Sequence, residues 1–311
     1  MKHAFFFFGI PTIAIIGGHF LFMKLFMDGN LAYLNLTTTP ILFLGLILLG
    51  IGYFYRKERK HIILFLGWLI FAIYWATQPE FLYYKGEKDT VNAIFCIVGV
   101  YFLSYISYHE YLCYKRNEEI ESLNFLAGAS FFAGMLYFVV QKIYFLAGFL
   151  VKIVAQQTVW ILNIFGYSFS VGVINVDPHT LEVSVQIIGA TPSIILACTG
   201  LQSMAVFIGV FIALNADKRK RIKAFFITVP TIYILNLIRN VGVVYGVEQL
   251  GIDFGIMHNV IGKIGSLIAL IILAFIVFDL LPELYDNIMD LFDLPKRNGP
   301  IERMFKMMKK R

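Results

Sequence analysis

Charged residues are scarce in this chain. Asp, Glu, Lys and Arg make up 15% of its 311 residues, whereas about 25% is usual for a soluble domain. Hydrophobic residues make up 59%, and the mean hydropathy is +0.75. Several apolar runs approach or exceed the roughly 18–20 residues that a helix needs to cross a bilayer. The composition excludes a soluble globular domain and predicts an all-α polytopic membrane protein.

Cysteines, repeats and linkers are also few or absent. Cys96, Cys113 and Cys198 are the three cysteines, and their number and placement give no disulfide framework. We find no internal repeat and no low-complexity linker in the sequence. The first 27 residues are uniformly apolar and lack the small-residue cleavage site of a signal peptide, so we expect a retained first span.

Eight apolar segments are predicted to span the membrane. A ninth stretch, residues 142–165, is apolar but partly amphipathic, and we expect it to lie at the outer interface. The eight predicted spans are residues 4–27, 40–55, 61–77, 91–109, 123–141, 193–214, 224–246 and 258–281.

Lys and Arg are distributed unevenly among the connections between these spans. Placing the amino terminus in the cytoplasm puts 19 of them on the cytoplasmic side and four outside. The positive-inside rule therefore predicts that both termini are cytoplasmic. This topology accounts for the net charge of +6, so no nucleic-acid partner is required. The basic tail is expected to be either a solvated segment or a short interfacial helix.

We expect three regions along the chain: a four-span region at 1–122, a membrane core at 123–281 and a basic cytoplasmic tail at 282–311. The core contains an external segment, 142–192. Its second half alternates apolar and polar residues around an Asp-Pro-His turn, which predicts a small β-hairpin. An isolated hairpin is marginal in water, so this one must lean on the helices.

Three chemically active side chains are predicted to share one membrane depth. Cys198 lies six residues beyond Pro192, or about 9 Å into the predicted sixth span at 1.5 Å per residue. Arg239 lies about 22 Å along the seventh span, which runs outward, and His258 opens the eighth from outside. All three fall near the outer interface. A membrane-embedded Arg is costly and must face a partner or a wet cavity.

These residue types suit nucleophilic catalysis. A thiolate is the nucleophile, and a nearby cation favours its formation. His258 suits a general acid and base, while Arg239 suits stabilisation of a thiolate or an oxyanion. The Thr199 hydroxyl and Gly200 are expected to leave room beside the sulfur. Lys263, five residues into the last span, is a lower-ranked rival of His258.

Structural explanations exist for each residue taken alone. Buried cysteines are commonly inert, Arg239 would also suit a structural ion pair, and His258 an interfacial position. Glu248 and Asp253 lie before the last span and are low-ranked partners for Arg239 or His258. The other histidines that we considered, His19 and His179, are interpreted as structural or solvated.

At these residues the sequence resembles the exosortase/archaeosortase family of membrane cysteine transpeptidases. The matching pieces are Ala197-Cys198-Thr199-Gly200, Asn236-Leu237-Ile238-Arg239-Asn240 and His258-Asn259-Val260-Ile261-Gly262-Lys263. The resemblance covers roughly residues 123–281, and the flanks are more similar to the archaeosortase A branch than to the bacterial exosortases.

The resemblance implies a sorting enzyme of the cell membrane, with its active site at the extracytoplasmic face. Its substrates would be membrane-anchored precursors that end in a short motif, an apolar helix and a basic tail. Cys198 would attack near the motif, which is Pro-Gly-Phe in the archaeosortase A case, and pass the acyl group to a lipid acceptor. Family members differ in the third catalytic residue, which leaves His258 and Lys263 open. We expect neither a cofactor nor a metal ion.

Two other functional classes remain open from the sequence. One is a transporter or channel that binds an anionic solute through Arg239 and Lys263, although the repeated halves typical of many transporters are missing. The other is a non-catalytic scaffold, which leaves the cost of burying Arg239 unexplained.

Overall fold

The structure, a computed structural model, describes residues 5–27, 31–55, 59–84 and 90–309. Within these residues the chain is almost entirely helical, apart from one small sheet. Some of the Lys and Arg residues that we counted on the two sides of the membrane lie outside the described residues. They are Lys2, Arg56, Lys57, Lys85, Lys88, Lys310 and Arg311.

The described residues form twelve α-helices and four shorter helical turns. The α-helices are α1 (Ile10–Met27), α2 (Leu31–Phe54), α3 (Lys60–Ala76), α4 (Pro79–Tyr84), α5 (Thr90–Arg116), α6 (Glu121–Lys142), α7 (Tyr144–Ile164), α8 (Leu201–Ala213), α9 (Lys218–Glu248), α10 (Lys263–Leu280), α11 (Pro282–Phe292) and α12 (Pro300–Lys309). The turns are π-helical at Phe5–Gly9 and Ile256–Gly262 and 3-10 at Leu196–Thr199 and Leu294–Arg297.

Eight described helical segments are long and apolar enough to cross a membrane, which confirms the polytopic all-α class. The set differs from the predicted one in two places. Helix α7, which was expected at the interface, is among the eight, whereas segment 193–214 is not. Its first residues form a strand and a 3-10 turn, and only 13 residues form helix α8. A short apolar run does not distinguish a strand from a helix, and here pairing with a neighbouring strand selects the strand.

The chain divides into two compact units, residues 1–131 with 284–311 and residues 132–283. In the first unit, glycines let α2 and α3 approach closely. A Cβ on Gly45 would lie 3.0 Å from the backbone nitrogen of Phe71, and one on Gly67 would lie equally close to that of Leu49. Small residues at helix contacts are typical of membrane bundles, where packing rather than the hydrophobic effect holds helices together.

The second unit contains an antiparallel sheet of three strands, β1 (Ser170–Val176), β2 (Val183–Ile188) and β3 (Ser193–Ile195), in the order β1-β2-β3. Alternate side chains of β2 are buried in a core to which α7 also contributes. The hairpin is present with one strand more than predicted. Asp177 accepts hydrogen bonds from the His179 amide and the Thr180 hydroxyl in its turn, and these hold the pKa of Asp177 below its usual value.

The carboxy-terminal segment is part of the first unit, and it packs against helix α5. Glu302 of α12 is buried and accepts hydrogen bonds from the hydroxyls of Tyr105 and Tyr108, at 2.7 and 3.1 Å. Ile301 is buried in a cluster with Tyr108 and Leu112. Part of the tail therefore forms a helix that is anchored by buried contacts, whereas we expected it to be either solvated or at the interface.

Replacing Glu302 with Ala should destabilise the protein. The two tyrosine hydroxyls would lose a charged acceptor, and such hydrogen bonds contribute about 1.5–3 kcal/mol each. We expect the midpoint of thermal unfolding in detergent to fall by about 5 °C or more. Met307→Ala, at an exposed position of the same helix, is the control. Equal midpoints for the two variants would contradict the anchoring role.

Candidate active site

Cys198 lies in the 3-10 turn between strand β3 and helix α8. Its side chain is 5% exposed and belongs to the core that contains the buried face of β2. Gly200 follows the turn with φ +73°, a conformation that glycine adopts without strain. A Cβ at Gly200 would also lie 3.2 Å from the side chain of Asn236. The shape of the turn therefore favours glycine at position 200.

The Thr199 hydroxyl takes part in the hydrogen bonds of the turn that carries Cys198. It is buried and donates a 2.7 Å hydrogen bond to the carbonyl of Leu196. The same oxygen accepts a hydrogen bond from the amide of Leu201, at 3.3 Å. Thr199 thus joins the 3-10 turn to the first residue of α8, which is a structural role.

Two asparagines of α9 hold the backbone of the cysteine. The Nδ2 atoms of Asn236 and Asn240 donate to the Cys198 carbonyl at 2.5 and 2.7 Å. A backbone acceptor outside regular helix needs such partners when water is excluded. The two residues are four apart on one helix, so their side chains lie on the same face. The sequence contained this spacing, but our predictions assigned neither residue a role.

Arg239 lies between the two asparagines in sequence and near both other predicted site residues. Its guanidinium lies within electrostatic range of the Cys198 thiol. Its terminal nitrogen Nη2 lies 3.5 Å from Nδ1 of His258. Arg239 therefore connects Cys198 to His258, and the three residues form one cluster.

The backbone of Gly262 lies close to the guanidinium of Arg239. A Cβ on Gly262 would lie 3.0 Å from Nε of Arg239, so only glycine leaves the guanidinium in its place. Nε is buried and has no hydrogen-bond partner among the described residues. An unpaired buried donor is costly, and it is available to an acceptor that enters the site.

His258 lies in the π-helical turn that precedes α10. Its ring stacks on Phe254 at a centroid distance of 5.2 Å and an interplanar angle of 25°. Asp253 accepts a hydrogen bond from the amide of Ile256, so it caps this turn. Glu248 accepts one from the amide of Thr191 at 2.7 Å. Both acids thus hydrogen-bond to backbone amides, whereas we expected them to be low-ranked partners for Arg239 or His258.

A cavity of about 280 Å³ opens beside Arg239. It lies between α9 and α10, and its lining is mainly apolar, with Asn236 and Ser203 among the polar exceptions. Lys263 is half-buried and is not among the lining residues. The two cations that were considered for binding an anion therefore do not share this cavity.

Glu182 is a charged neighbour of Cys198 that sequence reasoning missed. Its carboxylate lies within electrostatic range of the thiol. Pairing between β2 and β3 brings residue 182, just before β2, toward the cysteine turn that follows β3. No sequence spacing indicated this proximity, because it depends on the register of the sheet.

The fold and this cluster define a multi-pass helical membrane protein with a buried cysteine held beside an arginine and a histidine. The chain belongs to the transmembrane exosortase family, whose model, described as Transmembrane exosortase (Exosortase_EpsH), matches residues 45–275.

Two curated relatives are similar at modest identity, and both are called Archaeosortase A. The protein from Haloferax volcanii is 24% identical over 274 residues, covering 75% of this chain and 85% of its own length. The protein from Natronomonas pharaonis is 20% identical over 246 residues, covering 71% and 76%. No solved structure matches the chain.

Changing Asn240 to Asp should release the cysteine turn. The substitution keeps the size of the side chain but places a carboxylate oxygen opposite the Cys198 carbonyl. We expect the rate of Cys198 alkylation by a maleimide, followed by peptide mass spectrometry, to rise about tenfold, which corresponds to about 1.4 kcal/mol of lost protection. Gln249→Glu, at the exposed end of the same helix, is the control. An unchanged rate would exclude a holding role for Asn240.

Proposed function

We propose that this protein is a membrane cysteine transpeptidase that cleaves the carboxy-terminal sorting signals of secreted surface proteins and transfers the products to a lipid acceptor. The observation that carries the proposal is the position of Arg239 at the wall of an apolar cavity, within electrostatic range of Cys198 and 3.5 Å from Nδ1 of His258. Family membership supports the class of enzyme, and the names of the two relatives support a sorting activity.

The nucleophile in this proposal is the sulfur of Cys198. It bonds to the carbonyl carbon of the scissile peptide, and the carbonyl π electrons move to the oxygen. Arg239 stabilises that oxyanion, and its unpaired Nε is a donor suited to this task. In this poorly hydrated site the interaction is stronger than it would be in water.

His258 is the proton carrier in this proposal. Its imidazole accepts the thiol proton and donates it to the leaving nitrogen as the peptide bond breaks. The product is a thioester on Cys198. A nucleophilic amine of the lipid acceptor then attacks the thioester, the neutral imidazole of His258 accepts the amine proton, and the sulfur leaves as a thiolate. The stacking of His258 on Phe254 restricts the orientation of the ring.

The cavity suits a substrate that is itself anchored in the membrane. Its lining is mainly apolar and lies between two helices long enough to cross a bilayer. A precursor with an apolar helix and a basic tail would place its cleavage motif at the top of that helix. The positive-inside distribution supports cytoplasmic termini for the enzyme, and we propose that the site faces the opposite side.

Loss of the thiol should abolish processing. We expect Cys198→Ala and Cys198→Ser each to reduce cleavage of a tail-bearing membrane precursor by about 10³-fold or more, because no other group supplies the nucleophile. Cleavage is measured by the shift in precursor size in reconstituted vesicles. The matched control is Cys96→Ala, which removes another buried cysteine. Normal processing in both Cys198 variants would refute the enzymatic function.

The proton carrier can be identified by comparing His258→Gln with Lys263→Gln. We expect the first variant to lose about 10²-fold or more in the rate of processing, the usual contribution of a general acid and base. The second should retain most activity, because it is His258 whose Nδ1 lies 3.5 Å from Nη2 of Arg239. The reverse order of effects would assign the role to Lys263.

A further inference from the structure

A second polar cluster lies in the compact unit formed by residues 1–131 and 284–311. It consists of His61 near the start of α3 and of Glu110 and Cys113 near the end of α5. We propose that these three side chains bind a zinc ion. The proposed catalytic mechanism uses none of them, and their spacing in the sequence does not indicate a metal site.

The three side chains converge from two helices. One ligand atom from each lies within 4.8 Å of the other two. Glu110 and Cys113 are three residues apart on α5, so they lie on the same helix face. All three residues are buried, and Glu110 and Cys113 are 0% exposed. Such a concentration of ligand groups in a dry interior is expensive unless their charge is neutralised.

Among the described residues, only one oxygen of the Glu110 carboxylate has a hydrogen-bond partner. Its Oε2 atom lies 2.7 Å from Nδ1 of His61. Its Oε1 atom is buried and has no hydrogen-bond partner among the described residues. A buried acceptor without a donor costs about 1–3 kcal/mol, and more when it is charged. A bound cation at this carboxylate would remove that cost.

The donor set suits zinc better than the hard cations. Thiolate, imidazole and carboxylate are all common zinc ligands, whereas Mg²⁺ and Ca²⁺ prefer oxygen alone. With a neutral His61, the Glu110 carboxylate and the Cys113 thiolate would neutralise Zn²⁺, and the thiol proton would be released on binding. Tetrahedral zinc ligands lie about 3.3–3.8 Å apart. Small side-chain rotations would close the cluster, with a water in the fourth position.

A guanidinium lies beside the sulfur of Cys113. Nη1 of Arg297 lies 3.5 Å from the Cys113 sulfur and 3.4 Å from Nδ1 of His109. The same guanidinium also pairs with Glu118. Hydrogen bonds to a ligand from such outer groups orient it and tune the metal site. Arg297 belongs to the carboxy-terminal segment, so metal binding would also strengthen the contact of that segment with α5.

The first test measures zinc directly in the purified full-length protein. The protein is loaded with Zn²⁺ in detergent, treated with a weak chelator, and analysed by elemental mass spectrometry. We expect about one zinc per chain. Cys113→Ser and Glu110→Gln should each lower the retained zinc at least about tenfold, since each removes a ligand. Cys96→Ser removes a buried cysteine of the same helix, outside the cluster, and should retain zinc like the unmodified protein.

A second measurement does not depend on how well the variants fold. Loading the unmodified protein with Co²⁺ should produce a sulfur-to-cobalt charge-transfer band, and the Cys96→Ser protein should show the same band. Failure of the unmodified protein to retain zinc, or absence of this band, would overturn the proposal and leave the cluster as a hydrogen-bonded ion network. Equal zinc in Cys113→Ser and the unmodified protein would also overturn it.

Discussion

The site depends on how one backbone carbonyl is satisfied. Strand β3 ends at Ile195 and helix α8 begins at Leu201, so the chain between them lacks regular helical hydrogen bonds. Asn236 and Asn240 donate to the Cys198 carbonyl, which compensates for this break in an apolar interior. They also fix the cysteine turn against the helix that carries Arg239. The scaffold of the turn and the position of the cation are thus set by the same five residues of α9.

Arg239 is the second constraint, because its guanidinium lies within electrostatic range of the thiol, 3.5 Å from His258 and close to the backbone of Gly262. A buried cation needs partners on several sides, and here its neighbours come from two segments, the 3-10 turn of Cys198 and the π-helical turn that contains His258 and Gly262. The proposed chemistry follows from this arrangement, since a donor fixed before the reaction needs no reorganisation when negative charge develops. The neighbouring cavity is mainly apolar, which suits a membrane-anchored substrate.

Much of this fold was predictable because membrane insertion imposes strong rules on composition. The apolar runs predicted the helical class and the number of spans, and alternation in Val183–Ile188 predicted a strand. The prediction of a continuous span at 193–214 was wrong, because a short apolar run is compatible with strand or helix until its partner is known. The membrane depth calculated for Cys198 assumed a continuous helix from Pro192, and that helix is not present. The structure nevertheless brings the three predicted side chains together. Their catalytic roles stay predictions.

The sequence by itself determined the class of the protein, the family motifs and the identity of the three clustered residues, because these depend on composition and short spacings. Only the tertiary structure decided what each residue contacts. It assigned Asn236 and Asn240 to the cysteine carbonyl, Thr199 to the turn, and Glu182 to the surroundings of the thiol. It also brought His61 beside Glu110 and Cys113, although His61 and Glu110 are 49 residues apart in the sequence. Such contacts depend on strand register and helix packing, which local spacing does not encode.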